Sequence, residues 1–150
     1  MPIIEAGVKN SNDQIDPIQL VQVGPSIEVS IGHFRTSGAP PIPPKEDVFT
    51  FALVDTGATE SCIDISLAQN LDLPVVDKMT ISGVGGAKTH DVYMAQIHIP
   101  DLKFTQYGKF AGVDLDGGGQ LHKALLGRSF LQNTIMIYDG LRGQVTITVT

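Results

Sequence analysis

The chain has 150 residues, a formal net charge of −6, 42% hydrophobic residues and 17% charged ones. That length and balance suit one packed domain and exclude a disordered chain. The acidic balance, with no basic block, excludes a nucleic-acid surface. No stretch reaches the roughly 18 apolar residues of a membrane helix. Sixteen glycines and nine prolines set among short Val/Ile/Thr runs point to an all-β fold rich in turns.

Residues 1–16 are mixed and polar, and read as an N-terminal extension free to move; residues 17–150 read as the domain. The start has neither a basic region nor a long apolar one, so no secretory signal is read there. Ile18–Val23 alternates like a short strand. Ile27, Val29 and Ile31 share one face of the next strand. The segment from Arg35 to Asp47 holds four prolines and is a stiffened loop. The run Val48–Val54 is strand-like and apolar. It ends abruptly at Asp55-Thr56-Gly57-Ala58, an acid and a hydroxyl followed by a residue that lets the backbone turn close to the carboxylate. Burying a charge is costly, so an acid delivered by a buried strand usually has a function.

From Ile63 to Leu73 the period changes to helical, with Ser66 as the expected N-cap and Pro74 as the stop. Ser82-Gly83-Val84-Gly85-Gly86-Ala87 reads as a glycine-rich hairpin tip between two β arms. Val92–Ile99 and Leu102–Ala111 form the next strand pair. The loop from Asp114 fails as a calcium site, because Leu125 stands where a bidentate Glu is required. The run Gly83–Thr89 fails as a phosphate loop, because Ala87 precedes the lysine. His33, His90, His98 and His122 show no zinc spacing. A second apolar run, Leu125-Leu126, ends at Gly127-Arg128, followed by a short helix over Ser129–Asn133. Two strands close the chain, and the last, Gln144–Thr150, should leave an open edge that hints at a partner. The only cysteine is Cys62. It reads as a small core residue, excludes an internal disulfide and fits a reducing, cytoplasmic compartment.

Four of these motifs, in this order, resemble the retropepsin-like (retroviral-type) aspartic peptidases: Pro17–Leu20 with Gly24-Pro25, Leu53–Ala58, Ile81–Gly86 and Leu125–Leu131. The resemblance spans about residues 17–149. It implies a closed acid-protease barrel with one or two short helices and a flap hairpin, and an aspartic endopeptidase that needs no cofactor or metal. It implies that Asp55, Thr56 and Gly57 are the catalytic loop, and that Gly127 and Arg128 support it. Leu53, Ala58, Thr59, Ile81, Gly83, Val84 and Leu125 would bind an extended peptide or protein substrate. Pro17–Leu20 would be an interface strand. Two departures stand out. Thr59 occupies the place of an acid, and Gly24 the place of an arginine, that pair between subunits in retroviral members. Arg128 is kept, with Glu60 its nearest candidate partner in sequence.

Amide hydrolysis without metal needs two carboxylates on one water, one ionised and one protonated. This chain has one Asp-Thr-Gly, so the simplest completion is a two-fold homodimer with one Asp55 from each subunit. Ala58 has no hydroxyl to donate to the acid pair, so a mildly rather than strongly acidic optimum is expected. Two other readings remain open at this point: a catalytically silent peptide-binding or dimerisation module, and a structural β-barrel with an accidental motif.

Overall fold

The computed structural model describes residues 3–35, 45–115, 117 and 121–150. Its elements, in order, are β1 (Ile3–Glu5), α1 (Pro17–Val23), β2 (Ser26–Gly32), β3 (Val48–Val54), β4 (Cys62–Asp64), α2 (Ile65–Asn70), β5 (Val75–Gly83), β6 (Gly86–Ile99), a single 3₁₀ turn (Pro100–Leu102), β7 (Phe104–Val113), β8 (Ala124–Leu126), α3 (Arg128–Leu131), β9 (Thr134–Asp139) and β10 (Gln144–Val149). The fold is mostly β, as expected.

Seven strands form one sheet in the order β2-β3-β8-β4-β7-β6-β5. β2 also pairs with β6, so the ladder curls back toward its own start and leaves β5 outside it. The other three strands form a separate sheet, β1-β10-β9. The single closed barrel expected from sequence is therefore realised only in part. Apolar alternation explains which faces are inside: Ile27, Val29 and Ile31 of β2, Ala52 and Val54 of β3, and Ala95, Ile97 and Ile99 of β6 are all buried in one core.

Three local expectations change. Pro17–Val23 is a helix rather than a strand. The Asp16 carboxylate accepts the Ile18 N–H, Pro17 opens the first turn, and Gly24 closes it with an N–H to Leu20 O. These end signals outweigh the weak alternation read over Ile18–Val23. The cap of α2 is Asp64, not Ser66. Its buried carboxylate takes the Leu67 N–H at 3.1 Å and the Leu115 N–H at 3.0 Å. The third change concerns the N-terminal extension. Ile3–Glu5 pairs with Thr146–Thr148 of β10, and Ile4 and Ala6 enter the core. Lys9 bridges Ile15 around the polar turn between them. The apolar residues spaced through a polar segment are what hold it down. As a result β10 is an interior strand, and the open terminal edge expected there is filled by the chain's own start.

The proline-rich loop lies largely outside the described residues, as does part of the loop after Asp114. At the first loop's ends Arg35 pairs with Asp47 at 2.7 Å.

Candidate active site

β3 is held on both sides, by β2 antiparallel and by β8 in parallel register, with Leu53 beside Leu125 and Val54 beside Leu126. This fixes where its last residue ends and the acidic loop begins. The Asp55 N–H extends the ladder to Leu126 O at 2.9 Å. Its side chain then turns back on the loop, and Oδ1 accepts the Gly57 N–H at 2.9 Å. A Cβ on Gly57 would stand 3.1 Å from that oxygen, so a side chain there would crowd the carboxylate. Asp55 is half-buried, while Thr56, Gly57, Thr59 and Glu60 are exposed.

The Leu-Leu-Gly-Arg run supports this loop from behind. The Arg128 N–H reaches Ala58 O at 2.9 Å and the Ser129 N–H reaches Thr59 O at 3.0 Å. Such close backbone approach leaves no room for a side chain at Gly127, whose Cβ would meet Glu60 O at 2.6 Å. The Arg128 guanidinium donates to Thr56 O at 2.7 Å and to Thr59 Oγ1 at 3.0 Å. Its partners are thus a carbonyl and a hydroxyl of the loop, not Glu60. Ser61 adds a further tie that the sequence reading missed: its Oγ takes the Gly127 N–H at 3.1 Å and donates to Gln106 Oε1 at 2.9 Å. Gln106 in turn bonds Ser129 Oγ at 3.3 Å. Nothing in the local sequence pairs Ser61 with a residue 45 positions away.

Facing the loop is the β5–β6 hairpin. Gly83 pairs with Gly86, which makes Val84-Gly85 a two-residue tip. Gly86 takes φ +97°, the backbone region that suits glycine in such tight turns. Val84 at the tip is fully exposed. Between loop and hairpin lies a cleft of about 390 Å³, whose lining includes Gly57, Ala58, Thr59, Glu60, Met79 and Ile81. Gly83 belongs to a smaller, more open hollow nearer the tip, shared with Ile81, Lys88 and His90. Leu53 and Leu125 are half-buried and lie outside the cleft. Of the residues assigned to substrate from sequence, Ala58, Thr59 and Ile81 are therefore brought together, Gly83 and Val84 stand on the hairpin above, and the two leucines sit behind.

Met79 and Cys62 also line the cleft. Met79 was missed in sequence, though it stands two before Ile81 on the same strand face. The Cys62 thiol is pushed up to about 11, first by burial and then by the nearby Asp55 and Glu60 carboxylates. It is an inert wall at neutral pH rather than a nucleophile. The four histidines bond elsewhere: His33 to Leu71 O, His90 to Gly112 O, His98 to Thr105 Oγ1 and His122 to Ser26 Oγ. Among the described residues no group of His, Cys, Asp or Glu is placed to hold a metal.

Residues 47–133 match the family model described as "gag-polyprotein putative aspartyl protease". No curated protein matches the chain. Among solved structures, a retropepsin-like aspartic protease from Rickettsia conorii is similar with a TM-score of 0.52 and 16% identity, covering 97% of this chain and 89% of that one. The simian foamy virus protease is similar with a TM-score of 0.46 and 20% identity, covering 71% of this chain and 91% of that one. The Rickettsia likeness speaks for the fold, and the family match spans the acidic loop, the hairpin and the Gly-Arg support. The chain belongs to the retropepsin-like aspartyl protease family.

Proposed function

We propose that the protein is an aspartic endopeptidase that works as a homodimer, with Asp55 of each protomer forming the acid pair. The observation that carries this reading is the placement of a single carboxylate at the end of a core strand. It is oriented by the Gly57 N–H on an otherwise exposed loop that faces a hairpin-roofed cleft. One such loop supplies half of what peptide hydrolysis needs.

In the assembled pair one carboxylate is ionised and the other protonated, since two close acids do not both ionise easily. The ionised acid takes a proton from water as the water oxygen attacks the amide carbon. The protonated acid gives its proton to the carbonyl oxygen. Collapse of the tetrahedral species breaks the C–N bond, and the leaving nitrogen takes a proton from the pair. Thr56, exposed beside Asp55, would bond across the axis to its counterpart. The substrate would lie extended between the loop and the hairpin. Ala58, Thr59 and Ile81 form the cleft wall, and Gly83 and Val84 close over it. Leu53 and Leu125, paired in register below the loop and outside the cleft, support it. No cofactor or metal takes part.

The test is a peptide-library assay across pH, with Asp55→Asn beside the wild type and the mass of both measured in solution. Cleavage should peak at mildly acidic pH and vanish in Asp55→Asn, while the two-protomer mass persists. A wild type that binds peptides yet cuts none between about pH 3 and 7 would instead make the protein a peptide-binding module.

A further inference from the structure

The cleft between the acidic loop and the hairpin carries a single charge. Glu60 is the only charged side chain among the described residues that line it, and the others are small, hydroxyl-bearing or apolar. The cation nearest to it in sequence, Arg128, directs its guanidinium to Thr56 O and Thr59 Oγ1 instead. Glu60 is exposed and enters none of the ion pairs among the described residues. An acid without a cation thus stands at the wall of the cleft.

An exposed acid on an ordinary surface is simply hydrated, and a cation beside it gains little. Glu60 differs in its neighbours. Ala58, Cys62, Met79, Ile81 and Ala111 line the same cleft. The Cys62 thiol is pushed up by burial first, then by the Asp55 and Glu60 carboxylates, so the field of Glu60 is felt at the opposite part of the lining. Apolar walls beside a charge weaken its screening and focus its field. A long basic side chain suits such a surface, because its stem lies on apolar atoms while its head reaches the acid. An acidic side chain meets a like charge there. The net charge of −6 adds a general attraction for basic peptides.

We propose that Glu60 sets the specificity of this cleft, selecting peptides with a lysine or arginine within a few residues of the bond that is cut. The stem of that residue lies along Met79 and Ile81, and its cationic head pairs with Glu60. Glu60 touches no reacting atom; it discriminates between side chains. This rests on the peptidase reading above, and it goes further by naming the substrate class. Two protomers bring two such clefts, so a basic residue is favoured on one or both sides of the cut.

The experiment uses the full chain and one peptide sequence in which Lys, Arg, Met or Glu is stepped through the positions around the cut. On the wild type, kcat/KM should be about tenfold higher for the best Lys or Arg peptide than for its Met counterpart, and lowest for Glu. In Glu60→Gln the Lys-to-Met ratio should fall to within about twofold, and in Glu60→Lys the Glu peptide should move ahead. Raising salt from about 0.05 to 0.5 M should narrow the wild-type ratio and leave that of Glu60→Gln where it is. Binding of the same peptides to Asp55→Asn, read by fluorescence anisotropy, should show the same preference without any cut. A Lys preference that survives in Glu60→Gln, or a wild type that treats Lys and Met peptides alike, would overturn the role of Glu60 and leave the peptidase standing. A wild type that cuts no peptide, while Asp55→Asn still favours Lys and loses that favour when Glu60→Gln is added, would overturn the hydrolysis and keep Glu60 as the selector of a peptide-binding module.

Discussion

His122 shows how one buried residue can matter far from the cleft. Its Nε2 lies 2.7 Å from Ser26 Oγ, and Ser26 donates its own proton to Gly24 O at 2.9 Å. The ring nitrogen therefore supplies the hydrogen in the first bond, and the pair ties the end of α1 to the strand that backs the acidic loop. Burial pushes the imidazole below its ordinary value of 6.5. The unfolded chain then takes up a proton more readily than the folded one. Stability carried by neutral His122 is fully present above 6.5 and drains away as pH falls through the lower, folded value. His122→Gln, which keeps a donor toward Ser26, should flatten the acid side of the stability curve. Urea midpoints taken from neutral to mildly acidic pH would show it as a smaller loss in the variant than in the wild type. None of this was legible in sequence, where His122 is one histidine among four and its partner lies 96 positions away. Asp55 could be singled out from sequence because its signal is local: an apolar strand, an acid, a hydroxyl and a glycine follow one another along the chain. The exchange at Thr59 was visible too, but its consequence was not. The hydroxyl keeps a bond to Arg128 within one protomer, at the position where the resemblance has an acid paired between subunits.

At the scale of elements, periodicity told most where a strand has one buried face. β2, β6 and β10 alternate clearly and were read correctly. α1 was misread because seven residues are too few for alternation to outweigh the capping carboxylate of Asp16 and the proline after it. β1 was missed because two apolar residues in a polar segment carry no period at all. Its worth is set by a partner at the other end of the chain. Burial of Ile4, together with the bonds from Ala6 N–H to Val145 O and from Ser26 N–H to Ala6 O, contributes about 4 kcal/mol. That is a large share of a typical domain's stability of roughly 5–15 kcal/mol. Removing residues 1–8 should therefore lower the melting temperature by about 8–16 °C. A deletion that melts with the full chain in calorimetry would show that β1 is an ornament.

The whole molecule presents one Asp-Thr-Gly loop and no second copy of it in the chain. If two protomers are needed for one water, cleavage per protomer must fall on dilution once the assembly begins to dissociate. Specific activity measured over a dilution series at the mildly acidic optimum should drop steadily and recover on concentration. A flat series down to the lowest measurable protein would mean that each chain acts alone. Ordered motifs made the family legible from sequence. The barrel implied by the resemblance is realised in part: β2 meets β6, while β5 and the three-stranded sheet stand outside that ladder.

Ile3 and Thr148 stand on one rung of the same ladder. The first and last described strands thus run side by side. A short loop could splice them together, and a new beginning could be opened at some other surface bend, with every rung intact. Seen this way, the unit is closer to a bead with a single attachment point than to a segment threaded along a cord, and it could be set into a surface loop of a larger host without pulling that host apart.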